Sequence, residues 1–102
     1  MAGRHLPFHD EHVAFYSVGQ VAEMLNVQHA FLRRLDSEAV VQPARSEGGQ
    51  RRYSVNEIYL VERVIGLAAE GLTLAGIRRL LELEAQVEEL QQQVAQLTAT
   101  DI

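Results

Sequence analysis

Nine arginines and no lysine set the chemistry open to this chain. Arg33, Arg34, Arg45, Arg51 and Arg52 fall close together and face only Asp36, Glu38 and Glu47 in the same window. A guanidinium presents a planar fork of donors that matches phosphate oxygens or the edge of a guanine. Gln28 and His29 stand just ahead of this window, with the amide and imidazole groups that hydrogen-bond to base edges. Ser17 and Tyr53 add hydroxyls at its margins. Ser17, Gln28, His29, Arg33, Arg34, Arg45, Arg51, Arg52 and Tyr53 are therefore the candidate DNA contacts. Catalysis is not expected, because no nucleophile and base stand at a recognisable spacing and no glycine loop cradles phosphate. There is no cysteine, which excludes disulfides and thiolate metal sites. His5, His9 and His12 have helical metal-pair spacing, but no second ligand cluster supports them, and a solvated terminus is the simpler reading. No metal or cofactor is expected.

The elements that must hold these side chains follow from local patterns. Ser17 and Gln20 have capping-box spacing, and Val18, Val21, Ala22 and Leu25 form the apolar stripe of a short helix. Asn26 suits a left-handed corner, so the chain turns there. A second helix from about His29 to Glu38 points Leu32 and Leu35 inward and leaves Gln28, His29, Arg33 and Arg34 outside, as major-groove reading requires. Val40, Val41 and Gln42 read as a short strand ended by Pro43. Ser46-Glu47-Gly48-Gly49-Gln50 has the chemistry of a tight hairpin turn, with Arg45 on one edge and Arg51-Arg52 on the other. Ser54 and Glu57 start a third helix, Gly71 stops it, and Thr73 caps a fourth. The order helix, turn, helix, arginine-edged hairpin describes a mainly α winged helix-turn-helix with a two-stranded wing.

The fourth helix changes register. Leu80, Val87 and Val94 fall at a and Leu83, Leu90 and Leu97 at d, so every seam position is aliphatic over almost three heptads. A lone helix of this length is marginal in water, and a second copy covering the seam is the expected remedy. The C-terminal helix is thus read as a coiled-coil dimerisation rod. Three segments follow: a flexible N-terminal tail (1–14), a DNA-binding domain (15–79), and the rod with its tail (80–102).

The formal net charge of −5, taken alone, opposes DNA. Its distribution does not. All nine arginines lie within residues 1–81 and are balanced there by nine acids, whereas Glu82, Glu84, Glu88, Glu89 and Asp101 leave residues 82–102 purely acidic. Screening confines each charge's reach to about 8–10 Å, so a locally basic face survives on an acidic chain. At 102 residues, 47% of them hydrophobic, the chain has room for one small core, and no apolar run reaches the ~20 residues of a membrane span. Without a signal-peptide pattern, a soluble cytosolic protein is the default expectation.

With these segments in order, SVGQVAEMLNV, the Leu32-Arg33 pair, VVQPAR, the RRYS that ends the wing, and GLTLAGIRRLLEL resemble the MerR superfamily of bacterial transcription regulators over roughly Tyr16 to Leu97. RSEGGQRRYS and LAGIRRLLELE look most like its HspR heat-shock repressor subgroup. The resemblance implies homodimers on an inverted repeat of double-stranded DNA, two winged domains joined by an antiparallel coiled coil, bending of the DNA between half-sites, repression of chaperone operons, and an Hsp70-type chaperone as co-regulator. The chain departs from the family pattern at Phe31 (commonly small and polar), Leu35 (commonly aromatic), and Asn26 and Ala39 (commonly glycine). The DNA-reading role therefore carries over further than the heat-shock target does. Because the chain ends just after the seam, no small-molecule sensor domain is expected. Two other readings compete: a MerR-fold chaperone-modulating adaptor that binds a J-domain or Hsp70 protein through Phe31 and Leu35 without touching DNA, and an excisionase-like architectural DNA-binding protein, which would lack the seam.

Overall fold

The computed structural model describes residues 11–100. His5 and His9, in the expected N-terminal tail, lie outside them. Seven elements follow in order: β1 (Tyr16–Ser17), α1 (Val18–Leu25), α2 (His29–Ser37), β2 (Ala44–Arg45), β3 (Arg51–Tyr53), α3 (Val55–Ala69) and α4 (Leu74–Thr100). The result is a mainly helical, helix-turn-helix-like fold with a small antiparallel β-element ordered β1-β3-β2.

Helices α1, α3 and α4 start where side chains supply caps. The Ser17 hydroxyl accepts from the Gln20 amide while the Gln20 side chain accepts from the Ser17 amide, and Ser54 and Glu57 repeat the exchange at α3. The Gly76 amide donates to Thr73 Oγ1 at the start of α4. Three helices end on a left-handed residue: Asn26 (φ 55°), Ala39 (φ 59°) and Gly71 (φ 101°). Past each of them the next amide reaches back to a carbonyl of the last turn: Val27 to Ala22, Val40 to Leu35 and Leu72 to Leu67.

The second of these caps overturns one expectation. Val40, Val41 and Gln42 do not form a strand. The amides of Val40 and Val41 both donate to the Leu35 carbonyl, at 2.8 and 3.2 Å, and so are unavailable to a ladder. Both valines are buried, so their β-branched character serves the core rather than a sheet. The strand begins after Pro43, at Ala44, where proline's missing amide costs nothing. A further strand, β1, pairs Tyr16 with Tyr53 and Ser17 with Arg52. Two residues are too few for any alternation to announce it.

One core joins these parts. Val21 and Ala22 of α1, Leu32 and Leu35 of α2, Tyr16 and Tyr53 of the sheet, Ile58, Val61 and Val64 of α3, and Leu74 and Ile77 of α4 are all buried within it. Past Leu81, α4 leaves the body. Leu83, Val87, Leu90, Val94 and Leu97 are 42, 51, 59, 61 and 68% exposed, a steady rise along the helix. The helix runs unbroken through Leu80, so body and projecting segment share one rigid element. An Arg63–Glu84 ion pair braces its root against α3. At the other end, the Asn56 amide donates to the Glu11 carbonyl (3.0 Å), and the Asn56 side-chain amide lies 3.3 Å from His12 Nδ1.

Candidate nucleic-acid interface

The α1–α2 corner leaves the start of α2 free of local capping. Gln28 is the N-cap residue with extended backbone, but its side chain makes no cap bond. Gln28, His29 and Arg33 are exposed, and Arg33 has no hydrogen-bond or ionic partner among the described residues. The His29 ring lies over the first turn of α1: a Cβ added to Gly19 would come 3.7 Å from His29 Cε1. Arg34 is different. It donates to Glu38 Oε2 one turn further on, at 2.7 Å, and so is partly neutralised on the helix surface.

The hairpin arginines divide by strand alternation. Arg45 and Arg51 are partners in the β2–β3 register, so their side chains leave the same face. That face meets α2. Arg51 Nε donates to Asp36 Oδ2 at 2.7 Å, and Arg45 Nη2 donates to the same oxygen at 3.1 Å. Arg45 Nη1 also donates to the Gly49 carbonyl across the turn, where Gly49 takes φ 82°. Arg52 points to the opposite face, between Ser17 and Ala44 in register, with no partner among the described residues. The adjacent pair that looks equivalent in sequence thus contains one strut and one free cation.

Tyr53 follows Arg51 on the inner face and is 1% exposed. Its hydroxyl has no hydrogen-bond partner among the described residues. Burial pushes its pKa up to about 12, with Asp36 and Glu57 acting in the same direction and Arg51 and Arg45 against it. Expected as a backbone contact, Tyr53 is instead a core side chain, because the alternation that turns Arg52 to the opposite face turns its neighbour inward. Ser17 lies opposite Arg52 in register, on the same face of the sheet, with its hydroxyl committed to the α1 cap. Two residues escaped the sequence reading. Asp36 counted there only as an acid among arginines, although a lone carboxylate on a helix facing an arginine-edged hairpin is a signal for a bridge. Arg78, on α4, donates to the Glu38 carbonyl at the end of α2 (3.0 Å), and nothing in its spacing announces a contact 40 residues away. No group of three or more metal-ligating side chains occurs among the described residues, and no described helix is long and apolar enough to cross a membrane.

Fold and surface together define a helix-turn-helix protein whose second helix is tied to a basic hairpin. The profile of the MerR HTH family regulatory proteins matches residues 16–84, and the chain belongs to that family, one of regulators rather than enzymes. The putative heat shock protein HspR of Streptomyces coelicolor is 40% identical over 90 residues, covering 87% of this chain. The chain spans 60% of that relative's length. The HTH-type transcriptional regulator GlnR of Bacillus anthracis is 21% identical over 90 residues, covering 85% of this chain and 70% of GlnR. Among solved structures, the N-terminal part of the Bacillus subtilis multidrug transporter activator, MtaN, superposes with a TM-score of 0.62 at 24% identity, covering 83% of this chain and 90% of that one. HiNmlR, a MerR family regulator lacking the sensor domain and bound to promoter DNA, gives 0.60 at 23% identity, covering 81% and 79%.

Proposed function

We propose that this protein is a sequence-specific DNA-binding transcriptional regulator that acts as a homodimer on an inverted repeat, in the manner of an HspR-like repressor. The observation that carries the reading is the bridge through Asp36. It makes the exposed start of α2 and the basic hairpin parts of one rigid unit. Gln28, His29 and Arg33 read base edges in the major groove, while Arg52, Arg45 and the free Nη groups of Arg51 hold the flanking backbone as a wing. Arg34, shared with Glu38, and Ser17, at the α1 start, serve as outer phosphate contacts. Phosphate contacts supply affinity and register, and base edges supply sequence choice. Leu80, Leu83, Val87, Leu90, Val94 and Leu97 form the dimer seam, whose uncovered aliphatic stripe a second copy would bury. The 40% identity to the putative heat shock protein HspR supports a heat-shock role; repression of chaperone genes with an Hsp70-type chaperone as co-regulator is what the resemblance of the sequence implies.

Binding to genomic fragments at two salt concentrations tests this reading. Arg52→Ala should weaken binding alike on selected and random duplexes and lower the salt slope by roughly one. Arg33→Ala should cost about 1–3 kcal/mol on the selected duplex alone and relax sequence choice. A wild-type chain that gives no saturable shift even in dilute buffer excludes the proposal. One observation favours the adaptor reading: half-buried Phe31 lines an open apolar groove of about 280 Å³ with Val27, Gln28, Ile65 and Ala68. An adaptor would bind a J-domain or Hsp70 protein there and leave DNA unshifted.

A further inference from the structure

We propose that Asp36 is a positioning residue for sequence discrimination, an acidic group whose presence on a DNA-binding face tightens the selective complex instead of repelling it. The inference rests on the DNA-reading function proposed above. Asp36 sits near the end of α2, its side chain 13% exposed, and one of its oxygens accepts from both Arg45 and Arg51. Those two arginines are directly opposite each other in the β2–β3 pair. Like charges at opposed positions drive strands apart, so the hairpin needs an anion between its guanidinium groups to hold this shape. Asp36 supplies that anion from the reading helix itself. It therefore fixes the angle between the groove-facing side chains of α2 and the backbone-gripping hairpin. Arg51 spends only its Nε on the bridge and keeps both Nη groups. The bridge orients this cation without consuming it.

The sign of the effect separates this role from simple electrostatics. A carboxylate that only opposes phosphate should, once neutralised, strengthen binding to every duplex by a similar factor. A positioning carboxylate should leave random-sequence binding equal or a few-fold tighter, yet weaken the selective complex, because its contacts require fixed geometry. The test uses the full chain, a duplex recovered from genomic fragments by the wild-type protein, and a random duplex of equal length. Asp36→Asn is expected to lose about ten-fold or more on the selected duplex, with no loss on the random one, and with a lowered melting temperature that still lies above the assay temperature. Asp36→Glu should restore part of the difference. Equal tightening on both duplexes, or no change on either, overturns the role of Asp36 while the DNA reading stands. A wild-type chain that binds neither duplex overturns the DNA reading and this role with it. Should Asp36→Asn fail to fold, the arginine Nε–H resonances of the wild type decide between the two roles. Arg51 is expected to exchange far more slowly than Arg52, and equal rates overturn the bridge.

Discussion

At the scale of single residues, burial decides roles that residue type leaves open. Tyr53 has a hydroxyl suited to phosphate, yet its ring is enclosed and its hydroxyl has no partner among the described residues. With its pKa raised from 10.0 to about 12 in the folded chain, the group is neutral in both states below pH 10. Between pH 10 and pH 12 the unfolded chain gains by ionising and the folded chain does not, so stability falls as pH rises, by on the order of 2 kcal/mol. Tyr53→Phe should remove that part of the alkaline decline and be neutral or mildly stabilising at pH 7. Denaturant midpoints across pH 8 to 12 check this, and an unchanged decline in the variant would assign it elsewhere. Arg51 and Arg52 make the same point from the other side. Their types are identical, and only the period of two along β3 sends one to Asp36 and the other outward.

At the scale of elements, helix ends are the best-determined features. Ala39 takes φ 59° at the end of α2, a conformation that crowds a Cβ and that glycine adopts freely. Ala39→Gly should raise stability by about 1 kcal/mol, read as a shift in denaturant midpoint at constant slope. A loss would mean that glycine's entropy in the unfolded chain outweighs the relief. Both capping boxes, the Asn26 corner and the Gly71 stop were legible in the sequence, because each rests on bonds between residues three to five positions apart. The candidate site was legible in its parts: the exposed start of α2 and the turn between two arginine edges. What stayed hidden depends on long-range pairing. The Val40-Val41 pair carries strand propensity, but the α2 cap claims its amides first. The two-residue β1 has no periodicity to detect, and the Asp36 bridge joins residues 9 and 15 positions apart.

At the scale of the whole molecule, charge and apolar surface are segregated along one axis. Eight of the nine arginines lie within residues 33–79, whereas residues 82–102 contain acids and no base, with Glu82 and Glu84 paired to Arg79 and Arg63 at the root of the projecting helix. In the proposed complex this charge distribution would favour DNA at the hairpin face and repel it along the projecting helix. Leu83, Val87, Leu90, Val94 and Leu97 of the proposed seam are solvent-exposed on the single chain, so Leu90→Asp should leave the body's core and its thermal transition unperturbed while halving the sedimenting mass. Affinity for the selected duplex should fall with it, since two half-sites no longer bind through one linked pair. A variant that still sediments as the wild type does would place the self-association elsewhere.

The unbroken course of α4 has a mechanical consequence. Its 27 residues make a stiff lever about 40 Å long, pivoting where Thr73 to Glu84 are fastened to the body. The arm beyond Glu84 is about 24 Å long, so a tilt of only about 8° at that fulcrum swings the far tip by roughly 3.3 Å, close to the rise of one base step. In the proposed pair, then, the distance between the two reading heads is tuned at residues that never approach the duplex, and Arg78, which joins the pivot to the Glu38 carbonyl, is the pin through which such a swing reaches the groove.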